Sequence, residues 1–230
     1  MTIGNFWWQL VITCLSAYFF ANINYAIIIS KILKKRDIRE CGSGNPGSTN
    51  MLRTFGFGFG VLTFFLDMLK GVVAALMGII MFKSLSGGNV AITTFATYLL
   101  GTAAVLGHVF PVFLKFKGGK GVATVIGFFF VSNWMFSTIF FVAAVIVLFI
   151  TKYMSAASLF LMLAQFIQLT TVFFLSEELV RSGLQWYCVM FVGIIAAVIF
   201  FAHRMNIARL IHGTENKMSF KKKSGEPQQI

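Results

Sequence analysis

Hydrophobic positions along the chain fall into long blocks. Near-continuous apolar stretches occupy about 6–30, 56–82, 90–110, 121–150, 156–175 and 185–203. About twenty apolar residues in a row are what a helix needs to cross a bilayer. Polar separators divide the blocks: KILKKRDIRE with a glycine-rich loop, then KSLSGGN, KFKGGK, TKYMS and SEELVRSG. The fourth block is too long for one crossing. Thirty residues make a helix of about 45 Å, against a hydrocarbon core of about 30 Å. Ser132-Asn133-Trp134 interrupts it and reads as a turn between two short helices. The pattern predicts an all-α, polytopic integral membrane protein with a bundle of seven transmembrane helices. No soluble domain fits between the spans, so residues 1–230 are expected to form one transmembrane domain, with a short disordered basic tail from about 218 to 230.

Charge orients this bundle. With the turn at 132–134, sixteen of the nineteen Lys and Arg fall on one side of the membrane. These include Lys31, Lys34, Lys35, Arg36, Arg39, Arg53, Lys115, Lys117, Lys120 and Lys152. Lys83 and Arg181 fall on the other side, and Lys70 lies within a span. Basic residues accumulate in cytoplasmic loops, which puts the N-terminus outside and the C-terminus in the cytoplasm. Trp7, Trp8, Trp134 and Trp186 then all sit at the outer interface, where indoles concentrate. A single span over 121–150 would move Lys152 and the basic tail outside and leave Trp134 in mid-membrane.

Composition narrows the function. The chain is 58% hydrophobic with 11% charged residues, where a soluble domain carries about 25%. A net charge of +12 would suggest nucleic acid for a soluble chain. Here it is read as basic loops against anionic headgroups, suited also to an anionic substrate, with no nucleic-acid partner. Cys14, Cys41 and Cys188 are scattered without CxxC or histidine spacing, so neither a metal site nor a disulfide framework is expected. The N-terminus has no basic region and no small-residue cleavage site, so the first block reads as a retained span.

The polar loops carry the candidate chemistry. In GSGNPGSTNMLR (42–53), Gly44 and Gly47 allow close approach, so successive N–H groups can line one concavity. Ser43, Ser48 and Thr49 supply hydroxyls, Asn45 and Asn50 supply amides, and Arg53 supplies a planar fork suited to phosphate. A helix starting near Thr49 or Asn50 would add its N-terminus. Gly118-Gly119-Lys120-Gly121 again leads a loop into a helix. It is not a Walker A motif, because Leu114 stands where the first glycine belongs and Gly121 follows Lys120. On a helix, His203, Asn206 and Arg209 share an arc of about 120°. Each stretch also has a plain reading as a capped turn, a snorkelling lysine or a solvated helix end. His108 reads as a packing or hydrogen-bonding residue rather than a base, and Asp67 and Lys70, at i and i+3 inside a span, as a pair that must face the bundle. Phe55–Gly60 contains a GxxxG spacing suited to close helix packing. These features favour a phosphorylated small molecule handled at the lipid boundary, and leave open whether it is moved or transformed.

GSGNPGSTNMLRTFG, GHVFPVFLKFKGGKGVAT and HRMNIARLIHGTENK, in this order, resemble the three motifs of the bacterial acyl-phosphate:glycerol-3-phosphate acyltransferases, the PlsY family. TKYMSAAS resembles that family's loop after its fifth span. The chain departs at Ala21-Asn22-Ile23-Asn24, where the family usually has Gly-Ser-Ile-Pro. The resemblance implies transfer of a fatty acyl group from acyl phosphate to the 1-hydroxyl of sn-glycerol 3-phosphate. The products would be 1-acylglycerol 3-phosphate (lysophosphatidate) and inorganic phosphate, in phospholipid biosynthesis. It implies no metal and no cofactor, a catalytic domain of seven spans in a bacterial plasma membrane, and an active site at the cytoplasmic face. A monomer among membrane lipids is expected. Ser43, Arg53, Lys120, His203 and Asn206 are the expected catalytic group. Gly44, Asn45, Gly47, Thr49, Asn50, Gly118, Gly119, Gly121, Ser155 and Ser158 are expected to bind substrate. One phosphate is placed on the 43–50 loop with Lys120 and the other near Arg53, His203 and Asn206, with neither substrate assigned to either. The general base is either His203 or a substrate phosphate, the latter preferred, and Glu215 braces the tail. A transporter of organophosphates would instead show a polar track through the midplane and inverted repeats.

Overall fold

The computed structural model describes residues 2–218, so all of the expected basic tail except Met218 lies outside the described residues. Eleven α-helices occur among them: α1 (Trp7–Ala21), α2 (Tyr25–Lys34), α3 (Ser48–Phe55), α4 (Phe57–Leu85), α5 (Val90–Val109), α6 (Val122–Ser132), α7 (Trp134–Thr151), α8 (Met154–Leu175), α9 (Glu177–Ser182), α10 (Gln185–Ala202) and α11 (Arg204–Ile211). Six segments are long and apolar enough to cross a membrane: Ile3–Lys34, Phe57–Leu85, Val90–Leu114, Trp134–Thr151, Met154–Leu175 and Gln185–Ala202.

The long fourth block breaks where its polar residues interrupt it, α6 ending at Ser132 and α7 starting at Trp134. With eleven residues, α6 is about 16 Å long, roughly half of a hydrocarbon core. It survives because protein surrounds it. Seven of its residues are buried, Ala123 through Phe129, whereas α7 buries only Ser137 and Ala144. Close approach to α4 is what makes this possible. A Cβ on Gly71 would strike the Thr124 carbonyl, and one on Gly127 would strike the Met68 carbonyl. Small residues at both faces let the two backbones touch. At the far end of α6 side-chain hydrogen bonds within the protein help to satisfy its polar groups, as a helix end in lipid requires. Ser137 Oγ donates to the Phe129 carbonyl at 2.9 Å, and Asn133 Nδ2 donates to Gln168 Oε1 at 3.2 Å.

The first block is also broken. The amide of Asn22 donates to the Tyr18 carbonyl at 2.7 Å as α1 ends. Asn24 then caps α2, its Oδ1 accepting from the Ile27 N–H at 3.0 Å, while its Nδ2 donates to the Pro46 carbonyl at 3.2 Å. The departure at residues 21–24 thus yields a capped break that also ties down the glycine-rich loop. The GxxxG spacing divides its work: Gly56 separates α3 from α4, and Gly60 packs against Leu52.

Asp67 and Lys70 pair inside α4 at 2.8 Å, both almost fully buried. His108 joins them from α5, its Nδ1 lying 3.2 Å from Lys70 Nζ and 3.6 Å from Asp67 Oδ1. The ring of Tyr25 lies 4.9 Å from the same ammonium. A charge pair this deep is sustainable only because each member has a partner.

Candidate active site

A cavity of about 440 Å³ opens at one end of the bundle, lined from α3, α4, α5, α6, α7, α8, α11 and the loops between helices. The starts of α4, α6 and α8 and the ends of α5, α7 and α10 converge on it. Trp7, Trp134 and Trp186 start the helices α1, α7 and α10 that run towards this end. The four polar stretches of the sequence therefore meet in one place, and short α6 preserves the alternation because it leaves the site while α7 returns.

The glycine-rich loop is held rigid by Asn50. Its Nδ2 donates to the Ile38 and Cys41 carbonyls, at 3.3 and 2.9 Å, and its Oδ1 accepts from the Ser43 N–H at 3.0 Å. Asn50 thereby shapes the loop, and its amide donors are already committed. Gly44 and Gly47 spend their N–H groups on the Cys41 and Asn45 carbonyls. What the loop turns to the cavity is Ser43, Asn45, Gly47, Ser48 and Thr49, the last two opening α3, where the first N–H groups have no intrahelical partner.

Gly118 and Gly119 are used differently from the expectation. Their N–H groups bond the Val109 and His108 carbonyls at 3.1 and 3.2 Å, and neither residue lines the cavity. A Cβ on Gly119 would collide with the His108 ring. This pair fastens the loop to the end of α5, and Lys120 and Gly121 alone reach the cavity from it.

Opposite stands a network built on Glu215. Ser155 Oγ and Asn206 Nδ2 donate to its Oε1 at 2.9 and 2.7 Å, and Arg209 Nε donates to its Oε2 at 2.7 Å. Asn206 Oδ1 in turn accepts from Lys120 Nζ. One carboxylate thus joins α8, α11 and the Gly-Gly-Lys loop. Arg53 closes the ring from α3, donating to the Asn216 carbonyl at 3.1 Å. Ser158 also lines the cavity, with its hydroxyl turned to the Met154 carbonyl at 2.8 Å.

Electrostatics follow from this packing. Burial, reinforced by Arg209 and Arg53 and opposed by Glu215, brings the Lys120 ammonium down to about 8. Burial also lowers Arg53, with Glu215 opposing. Burial alone would raise Glu215, but its hydrogen bonds from Asn206, Arg209 and Ser155 hold it below its ordinary value. His203 is brought to about 4 by burial and the nearby Lys120 charge. It is therefore neutral near pH 7. Its Nδ1 lies 2.8 Å from the Ile199 carbonyl, which can only accept, so the proton sits on Nδ1 and Nε2 keeps its lone pair.

Sequence reasoning put Arg209 on a polar arc with His203 and Asn206 but not among the expected site residues, and read Glu215 as a brace, Asp67 as half of a pair and His108 as packing or hydrogen-bonding, yet all four line the cavity. The GTEN turn after α11 and the shared arc of Asn206 and Arg209 were the available signals for the first two. Nothing local signals the others, since α4 and α5 meet only on folding.

Residues 11–213 match the glycerol-3-phosphate acyltransferase family. The chain is 39% identical over 211 residues to a glycerol-3-phosphate acyltransferase of Thermoanaerobacter pseudethanolicus, covering 92% of this chain and 96% of that one. It also resembles the crystal structure of PlsY, an integral membrane glycerol 3-phosphate acyltransferase, in its glycerol 3-phosphate form. That match has a TM-score of 0.78 and 34% identity, over 92% of this chain and 96% of that one. The lysophosphatidic acid form of PlsY matches with a TM-score of 0.76 and 33% identity, over the same shares.

Proposed function

The chain belongs to the glycerol-3-phosphate acyltransferase family, and from that premise we propose that it transfers a fatty acyl group from acyl phosphate to the 1-hydroxyl of sn-glycerol 3-phosphate. The products are lysophosphatidate and inorganic phosphate. The observation that carries this reading is one cavity in which Arg53, Lys120 and Arg209 face a hydroxyl-rich loop and an apolar arm together. Two phosphates and one acyl chain need those three features.

Ser43, Asn45, Thr49 and Lys120 hold one phosphate, with Ser155 and Ser158 at its edge. Arg53, His203 and Asn206 face the other, and Asn206 also fixes Lys120. Neither substrate is assigned to either set. The acceptor hydroxyl attacks the acyl carbon, the new C–O bond forms, and the acyl C–O bond to phosphate breaks with inorganic phosphate leaving. Charge growing on the carbonyl and phosphate oxygens meets fixed cations and N–H donors, the usual main source of acceleration.

The hydroxyl proton must also go somewhere. His203 Nε2 can accept a hydrogen bond from the hydroxyl, but an imidazole at about 4 is a weaker base than a phosphate monoester dianion, whose second pKa is about 6. The substrate phosphate therefore takes the proton, and His203 orients the glycerol. The basic loops and the Trp belt support seven membrane passes with short α6 among them, the N-terminus outside, and the site at the cytoplasmic face of a bacterial plasma membrane. The protein works as a monomer, with residues 1–230 as one catalytic domain.

The test is purified protein in detergent, given acyl phosphate and labelled glycerol 3-phosphate. Labelled lysophosphatidate formed without acyl-CoA is expected. Uptake of label into vesicles with no acylated product would overturn the reading.

A further inference from the structure

The cavity has a second character behind its polar mouth. Val122, Ile126, Phe141, Ala144, Leu148 and Leu161, from α6, α7 and α8, line an apolar arm. Along α7 it runs from Leu148 to Phe141, about 10 Å at 1.5 Å per residue. Beyond the arm lies a separate void of about 10 Å³, lined by Ile126, Phe129, Phe130, Ser137, Phe141, Leu161 and Gln165. That is about the room one water needs. Ile126, Phe141 and Leu161 line both spaces, so they form the wall between them.

What stands behind this wall is polar. Gln165 is 1% exposed, and its Nε2 donates to Ser137 Oγ at 3.0 Å. Ser137 Oγ in turn donates to the Phe129 carbonyl, and Gln165 Oε1 is left without a partner among the described residues. A buried amide oxygen without a donor is costly unless water reaches it, and the void is water-sized.

We infer that the Ile126–Phe141–Leu161 wall, backed by Gln165, stops the tail of the acyl chain and sets the longest acyl group the enzyme uses well. This rests on the acyltransferase reading above. A tail that ends at the wall buries only against hydrocarbon. A longer one must push Phe141 aside and then fill the water-sized space beside Gln165 Oε1, closing it to water. Burying an added methylene gains less than leaving that amide dry loses. The stop therefore combines shape with polarity, where a purely apolar groove would let the tail run on between the helices.

Two measurements on the full chain in detergent test this. The first is kcat/KM for acyl phosphates of increasing length. Wild type is expected to show a cut-off. Phe141→Ala should raise the ratio of long to short donors by about tenfold, the scale on which pockets discriminate single methylenes. Gln165→Leu should move the ratio the same way. Ala144→Leu, which fills the arm, should move it the other way and covers the case in which Phe141→Ala fails to fold. Ile146→Ala, on the exposed face of α7 at 53%, should leave the profile unchanged. The second measurement is the affinity of non-transferable alkyl phosphates against chain length, which needs no turnover. If wild type acylates nothing, the function reading fails while the affinity series still tests the wall. If Phe141→Ala and Ala144→Leu both fold and neither series shifts, the wall is not the stop.

Discussion

Two clusters of charge share the wall of one cavity, and they are built to opposite rules. Asp67, Lys70 and His108 sit inside α4 and α5, where one carboxylate meets one ammonium and the imidazole closes the set. Arg53, Lys120, Arg209 and Glu215 sit where the helices leave the bundle. There, among the described residues, three cations face one carboxylate whose oxygens are both already bonded. The first cluster matches its charges within itself. The second keeps a surplus of positive charge and unspent donors, which is what a doubly phosphorylated reaction needs. Burial alone marks neither as functional; the balance of charge within each cluster does.

The most damaging way to break this comparison is to unbalance the closed cluster. Asp67→Ala leaves Lys70 buried without its counter-charge, and breaking such a pair costs about 3–5 kcal/mol. A large fall in the thermal midpoint in detergent is expected, with activity lost only as folding is lost. Replacing both partners, Asp67→Leu with Lys70→Met, should restore most of the midpoint, since an apolar pair can fill the space.

The open cluster should respond in the opposite sense. Arg53→Ala is expected to lower kcat/KM by about 10²–10³, as for removal of one oxyanion donor, while the midpoint stays close to wild type. Lys120→Ala should behave alike. A large midpoint loss with unchanged kcat/KM would reverse the roles assigned to the two clusters.

The pH response sharpens the contrast further. Lys120 carries its proton up to about pH 8, against an ordinary value of 10.5. The kcat/KM should therefore fall as pH rises through 8, and Lys120→Arg should flatten that limb. Stability should move the other way. Folding lowers this pKa, so the charged lysine opposes folding below about 8, and that opposition fades as pH rises towards 10.5. His203, at about 4, contributes no acid limb above pH 5. A fall near pH 6 instead reports the substrate phosphate. Smallest of all, Asn24→Ala removes a cap and the tie to Pro46, for about 1 kcal/mol, read as a midpoint lowered by a few degrees.

Much of this was legible in the chain. Block lengths and the interruption at Ser132-Asn133-Trp134 yielded the helices and the break between α6 and α7, because spacing and turn chemistry act locally. The burial of α6 was not readable. So short a helix is tolerated because Gly71 and Gly127 allow α4 to shield it, and a pairing between helices leaves no local trace. The three polar stretches were recognisable from their residue types. Their division of labour was not, since Asn50, Gly118 and Gly119 look like donors in sequence and are spent on backbone carbonyls in the fold.

By itself the sequence determined that the chain forms apolar helices, that its polar residues gather between them, and which residue types could grip phosphate. Those properties depend on near neighbours and on solvent preference. Tertiary structure alone decided that Glu215 would bind Ser155, Asn206 and Arg209 at once, that His108 would join Asp67 and Lys70, and that a wall of three side chains would end the apolar arm. Each of these joins residues far apart in the chain, so its energy exists only after the helices have packed.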